Sequence, residues 1–140
     1  MITVYRNNEP PYGLQDMIFD RMEIKDNNLI LFFPEGIISN SEPYQVVGGS
    51  VILTQVDFEN CFVHLMSHYA MLGEFSGCKV ELLHFMKEYQ FRDFEVSNEY
   101  HGHDSSIYKG YFARFNNQDL VVEAMIEITH HGDIVYETRD

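Results

Sequence analysis

Apolar residues along this chain recur mostly every second position, the period of a strand, and only briefly at helical spacing. Met17 to Lys25 is followed by Asn27-Asn28 and then by Leu29-Ile30-Leu31-Phe32-Phe33. Asparagine tolerates positive φ, so the Asn pair predicts a tight hairpin between two strands, the second ended by Pro34-Glu35-Gly36. Leu29, Leu31 and Phe33 share one face, and Ile30 and Phe32 make the other face apolar too, which predicts a strand covered on both sides. Ser50 to Phe58 is rich in β-branched residues and predicts a further strand. Cys61 to His68 fits two patterns. As a strand it follows a Glu59-Asn60 turn. As a helix it starts at Asp57, stacks Phe58, Phe62, Leu65, Tyr69 and Leu72, and stops at Gly73. The strand is preferred, because Cys-Phe-Val are strand formers.

Residues 73–79 have the composition of a turn, and Val80 to Gln90 predicts the one helix, with Leu82, Leu83, Phe85, Met86 and Tyr89 as its apolar stripe. Phe94 to Tyr100, Ile107 to Phe115, Leu120 to Thr129 and Ile134 to Thr138 predict four more strands. Their joints, His101 to Ser106, Asn116 to Asp119 and His131 to Asp133, are too short for a parallel return. The expected fold is therefore mainly β, at most α+β: an antiparallel meander curled into a half-barrel or sandwich, with one short helix near residues 80–90. All four prolines fall in the first third, beside Gly13, Gly36 and Gly48-Gly49, which predicts short strands there with a bulge or turn at the glycine pair.

With 140 residues the chain fits one domain, 1–140, and 45% apolar content is enough for a core. Nine basic against 22 acidic side chains leave a net charge of −13, with no basic cluster. A nucleic-acid binder needs cations to displace phosphate counterions, so nucleic acid is excluded as a partner, and anionic membrane surfaces with it. No segment reaches the ~20 apolar residues of a membrane span. Met1 to Pro10 lacks the apolar core of a secretory signal, and Cys61 and Cys78 are too few for a disulfide framework. Both point to the cytoplasm. The field of such a chain attracts basic proteins.

Seven histidines raise the question of metal chemistry. His64 and His68 could clamp one ion if helical. On a strand they lie roughly 13 Å apart and cannot. Tyr100-His101-Gly102-His103-Asp104 offers a second set, His101, His103 and Asp104. The simpler reading is a polar hairpin tip in which Gly102 makes the turn and Asp104 caps backbone donors. His130-His131 merely precedes the last turn. There is no G-x-S-x-G elbow and no phosphate-binding glycine loop. No catalytic residue, metal ligand or cofactor is assigned. Loops carry contacts more often than strands do, so Tyr100, His101, His103, Asp104 and Tyr108 are the candidate partner-binding residues. Homo-oligomers through Ile134 to Thr138 as an edge strand are a further expectation.

The segments GLQDMIFDRMEIKDNNLILFF, GEFSGCKVELLHFMKEYQ, FEVSNEYHGHDSSIYKGYF and VVEAMIEITHHGDIVYE together resemble patterns in small bacterial orphan proteins. Many of these are domains of unknown function, and some are grouped with immunity proteins that neutralise the toxins of competing bacteria. The resemblance implies a cytoplasmic, mostly β, non-enzymatic protein and supplies no catalytic residues. The expected function is binding of a protein partner, basic in character. The alternatives are a metal-binding protein or metal-dependent hydrolase built on a histidine cluster, and a small-molecule binder within a curled sheet.

Overall fold

The computed structural model describes residues 1–5, 9–66, 77–89, 91–114 and 117–139, and the protein is mainly β with one helix. The strands are β1 (Ile2–Val4), β2 (Tyr12–Gly13), β3 (Ile18–Phe19), β4 (Arg21–Lys25), β5 (Asn28–Ser39), β6 (Val46–Leu53), β7 (Phe62–Met66), β8 (Gly77–Glu81), β9 (Phe91–Gly102), β10 (Ser105–Arg114), β11 (Asn117–Thr129) and β12 (Ile134–Thr138), with α1 at Leu82–Glu88. They form two antiparallel sheets, one curled as a half-barrel. Sheet 1 has the order β1-β12-β6-β5-β2, with β4 also paired to β5; sheet 2 has the order β3-β9-β10-β11-β7-β8. One contiguous core lies between them. A row of rings crosses it, from Phe33 on β5 through Phe19, Phe94 and Phe112 to Phe85 on α1, with successive centroids 4.9–6.4 Å apart. Edge-on and offset rings at such distances attract one another beyond their burial.

The first hairpin turns one residue earlier than the Asn pair predicts. Asp26 and Asn27 take φ 52° and 64°, the two positive values of a type I′ turn, and Asn28 already pairs with Lys25. Met17 to Lys25 is not one strand. It breaks at Asp20, so that β3 lies in sheet 2 and β4 in sheet 1. Nor does Pro34-Glu35-Gly36 end β5. The ladder to β6 shifts register between Phe33 and Ile37, and Gly36 takes φ 121°. A bulge accommodates the missing proline donor, and the strand continues. Gly48-Gly49 lies inside β6 rather than at a turn, and β6 ends at Leu53. A Cβ on Gly49 would stand 2.5 Å from the Glu137 carbonyl, so glycine permits the close pairing with β12.

Phe62–Met66 is a strand, as preferred, preceded by a single 3₁₀ turn at Phe58–Asn60. His68, Tyr69 and Leu72 lie outside the described residues. Gly77–Glu81 is a strand paired to β7 rather than a turn, which shortens the helix from its expected start at Val80. A seven-residue helix holds only by packing. Leu82 and Phe85 are buried with Met86 and Tyr89 beside them, while Leu83, expected in the stripe, is exposed.

β9, β10 and β11 form the expected meander, and Ala124, Ile126 and Ile128 are buried as the alternation predicts. β12 does not continue it. It crosses to sheet 1 and sits between β1 and β6, so Ile134–Thr138 is an interior strand and offers no edge. The Met1 ammonium donates to the Thr138 carbonyl at 2.8 Å, tying the two terminal strands together.

Candidate functional site

The β9–β10 hairpin closes through the two residues His103 and Asp104, since Gly102 pairs with Ser105. Asp104, with a positive φ of 58°, makes the turn that the sequence reading gave to Gly102. Its carbonyl accepts from His130 N at 3.1 Å, and its Oδ2 lies 3.4 Å from His103 Nε2 and 3.6 Å from His131 Nδ1. The tip is thus pinned to the β11–β12 turn. His103 is fully in solvent and Tyr100 is 54% exposed. Tyr108 is not available to a partner. It points to the inner face and is wholly buried. A cleft of about 180 Å³ opens beside the tip, lined among others by Tyr5, His101, Ser106, His130 and Asp133.

Below the tip runs a chain of hydrogen bonds. Leu14 N donates to Glu99 Oε2 at 2.9 Å, and Glu99 Oε1 lies 2.8 Å from His101 Nε2. His101 Nδ1 lies 2.9 Å from Ser106 Oγ, which lies 2.8 Å from His130 Nε2. His130 Nδ1 meets the Gly132 carbonyl at 2.9 Å. A carboxylate, imidazole and hydroxyl in a row resemble a nucleophilic triad in outline. The direction of the bonds is opposite. A carbonyl only accepts, so His130 Nδ1 carries its hydrogen. Burial lowers the His130 pKa, which keeps the ring neutral and leaves Nε2 to accept. Ser106 then donates to His130 and accepts from His101 Nδ1. The His101 Nδ1 that faces the hydroxyl therefore carries a hydrogen and offers no lone pair to receive the hydroxyl proton. This chain fastens three loops and does not activate Ser106, which is itself buried.

The sequence reading singled out His101 but missed Glu99, Ser106 and His130. Two signals were present. Glu99 and His101 are two apart and share a strand face, and in a hairpin closed at His103-Asp104 the residue opposite His101 is Ser106. Beneath the chain, the hydroxyls of Tyr108 and Tyr136 are buried without a hydrogen-bond partner among the described residues, and burial pushes both phenols up. Burial likewise raises the Cys61 thiol to about 11, which makes it a packing group and not a nucleophile.

Among the described residues no three His, Cys, Asp or Glu side chains converge on one point. His64 instead lies 3.8 Å from Glu127 on the outer face of sheet 2. The registers of that face place tyrosines in line with acids. Tyr100, Ile107, Glu127, Phe62 and Glu81 form one cross-strand row, and Glu95, Tyr111, Glu123 and Met66 form another. Beside the second row a dish of about 230 Å³ has Ile18, Tyr111 and Val121 in its lining and the exposed acids Asp93 and Glu95 on it. No described basic side chain pairs with either acid. Lys109 meets Glu123 at 3.5 Å, and Lys79 covers the Phe62 ring at 4.0 Å.

No helix among the described residues is long and apolar enough to cross a membrane. No protein-family model, curated protein or solved structure matches this chain.

Proposed function

We propose that this protein is a non-enzymatic binding module of the bacterial cytoplasm that holds a basic partner protein, in the manner of an immunity protein neutralising a cationic toxin. The outer face of sheet 2 is the contact surface, with the hairpin tip at Tyr100, His103 and Asp104 along its rim. The observation that carries the reading is the pairing of exposed Tyr111 with Glu95 across the strands, both beside an apolar dish that also carries unneutralised Asp93. A dish with carboxylates around an apolar floor receives an arginine or lysine, stem on the floor and charge at the rim. The −13 field speeds the approach of such a partner. The donor direction of the Glu99–His101–Ser106–His130 chain supports the non-enzymatic half of the reading.

The test is retention of proteins from a bacterial lysate on the immobilised chain. At about 50 mM salt a basic protein is retained; at about 500 mM, where the screening length is a few ångströms, retention falls sharply. Asp93→Lys with Glu95→Lys abolishes retention at both. The reading fails if nothing is retained at low salt, or if the retained protein ignores both the salt and the substitutions.

A further inference from the structure

The outer face of sheet 1 is apolar where water would normally select polar residues. Val4, Val135, Ile52 and Ile30 form a continuous row across β1, β12, β6 and β5, all partly buried, and Phe32 stands in the next row. β5 was expected to be covered on both faces. Among the described residues, α1 packs at β7 and β8, on sheet 2, and no other helix is present to cover sheet 1. What occupies the face instead is an open groove of about 510 Å³.

We propose that this groove is the interface of a two-fold homodimer. The argument is the placement of its charges. The registers Glu137↔Ser50, Ser50↔Phe32 and Phe32↔Arg21 put Glu137 and Arg21 in one row, equally far from the seam between β5 and β6, and the row runs on past Glu137 to Ile2 on β1. β4 and β12 run in opposite directions, so Asp20, before Arg21, and Arg139, after Glu137, lie displaced to the same side of that row. Both line the groove. A two-fold axis along the strands at the β5–β6 seam brings Arg21 of one copy over Glu137 of the partner subunit. The same rotation sets Asp20 against Arg139 of the partner subunit. Each pair occurs twice, as an isologous contact requires. Ile30, Phe32, Ile52 and Val135 then meet their counterparts at the centre.

The groove is ready for this contact. Arg21 is held at 4.1 Å over the Phe32 ring by Glu23 at 3.1 Å. Gly48 leaves room for Arg139, whose Nη2 would lie 3.1 Å from a Cβ there. Asp20, Glu137 and Arg139 form no ion pair among the described residues. Two molecules of charge −13 repel. They associate where opposite charges face one another, and this groove carries two of each sign. The dimer leaves the outer face of sheet 2 free, so the inference stands or falls separately from the partner-binding reading.

Sedimentation equilibrium from about 1 to 100 µM protein, in about 150 mM salt, tests it. The expected mass is twice the 16.4 kDa chain. Arg21→Glu or Glu137→Arg alone weakens the dimer at least about tenfold, in line with a close interfacial charge pair. The double exchange recovers most of the loss, a result that misfolding cannot mimic. Ile52→Glu gives a monomer whose circular dichroism remains that of a β protein. A wild-type chain that stays monomeric throughout the range overturns the proposal. So does a dimer indifferent to all of these substitutions, or a monomer that native mass spectrometry shows carrying a small molecule in place of the second copy.

Discussion

The Ser106 hydroxyl is held between two imidazole rings, and its role is legible only from which neighbour donates. It gives a hydrogen to His130 and receives one from His101. Ser106→Ala leaves a buried acceptor and a buried donor without partners. The expected loss is about 2 kcal/mol of folding stability, or a fall of roughly 8 °C in Tm at this chain length. Thermal unfolding followed by circular dichroism measures it, and an unchanged midpoint removes the structural role assigned here. His130 predicts a pH dependence. Burial depresses its folded pKa, whereas the unfolded ring titrates at about 6.5. As pH falls below the unfolded value the unfolded chain takes up the proton first, so His130's contribution is present above that pH and is lost down through the folded pKa. His130→Gln flattens this part of the stability–pH curve, which begins below about pH 6.5. Equal slopes in the variant and the parent would refute the assignment. The chain of bonds was half visible in the sequence. His101 stood out because histidines near a glycine attract notice, whereas Glu99 and Ser106 have ordinary neighbours and acquire meaning only through the hairpin register. His130 arrives from a turn far along the chain, at a separation no local pattern reports.

Single elements were most legible where one local rule governs them. Alternation placed β9, β10, β11 and β12, and the spacing of Leu82, Phe85, Met86 and Tyr89 placed α1. Reading failed where tertiary pairing overruled the local signal. Gly77–Glu81 carries turn residues yet pairs with β7 along five positions, and Pro34 is tolerated because β5 bulges around it. Gly110 shows the same dependence on context. The ladder shifts register beside it, and a Cβ there would overlap the Glu95 carbonyl and press on Phe94 in the ring row. Gly110→Ala therefore costs about 2–3 kcal/mol despite alanine's better intrinsic propensity. Denaturant unfolding measures the cost, and a neutral or stabilised variant would contradict the close approach of β9 to β10.

At the level of the whole molecule, the described strands change sheet four times: before β3, at Asp20, between β6 and β7, and at the turn before β12. The sequence showed short joints and so implied a continuous meander. It held no mark of the crossing, because an interior strand of sheet 1 and an edge strand of sheet 2 share the same alternation. The two outer faces then differ in kind: acids and tyrosines on sheet 2, an apolar groove with balanced charge on sheet 1. Charge reversal at Asp93 and Glu95 should abolish partner retention and leave the sedimenting mass unchanged, and exchange at Arg21 and Glu137 should do the reverse. The position of β12 has a consequence for truncation. Without it β6 keeps one side unzipped, and β1 has no other described strand to lie against. Removing Ile134–Thr138 therefore detaches two strands and bares the flank of a third, a far greater loss than five residues suggest.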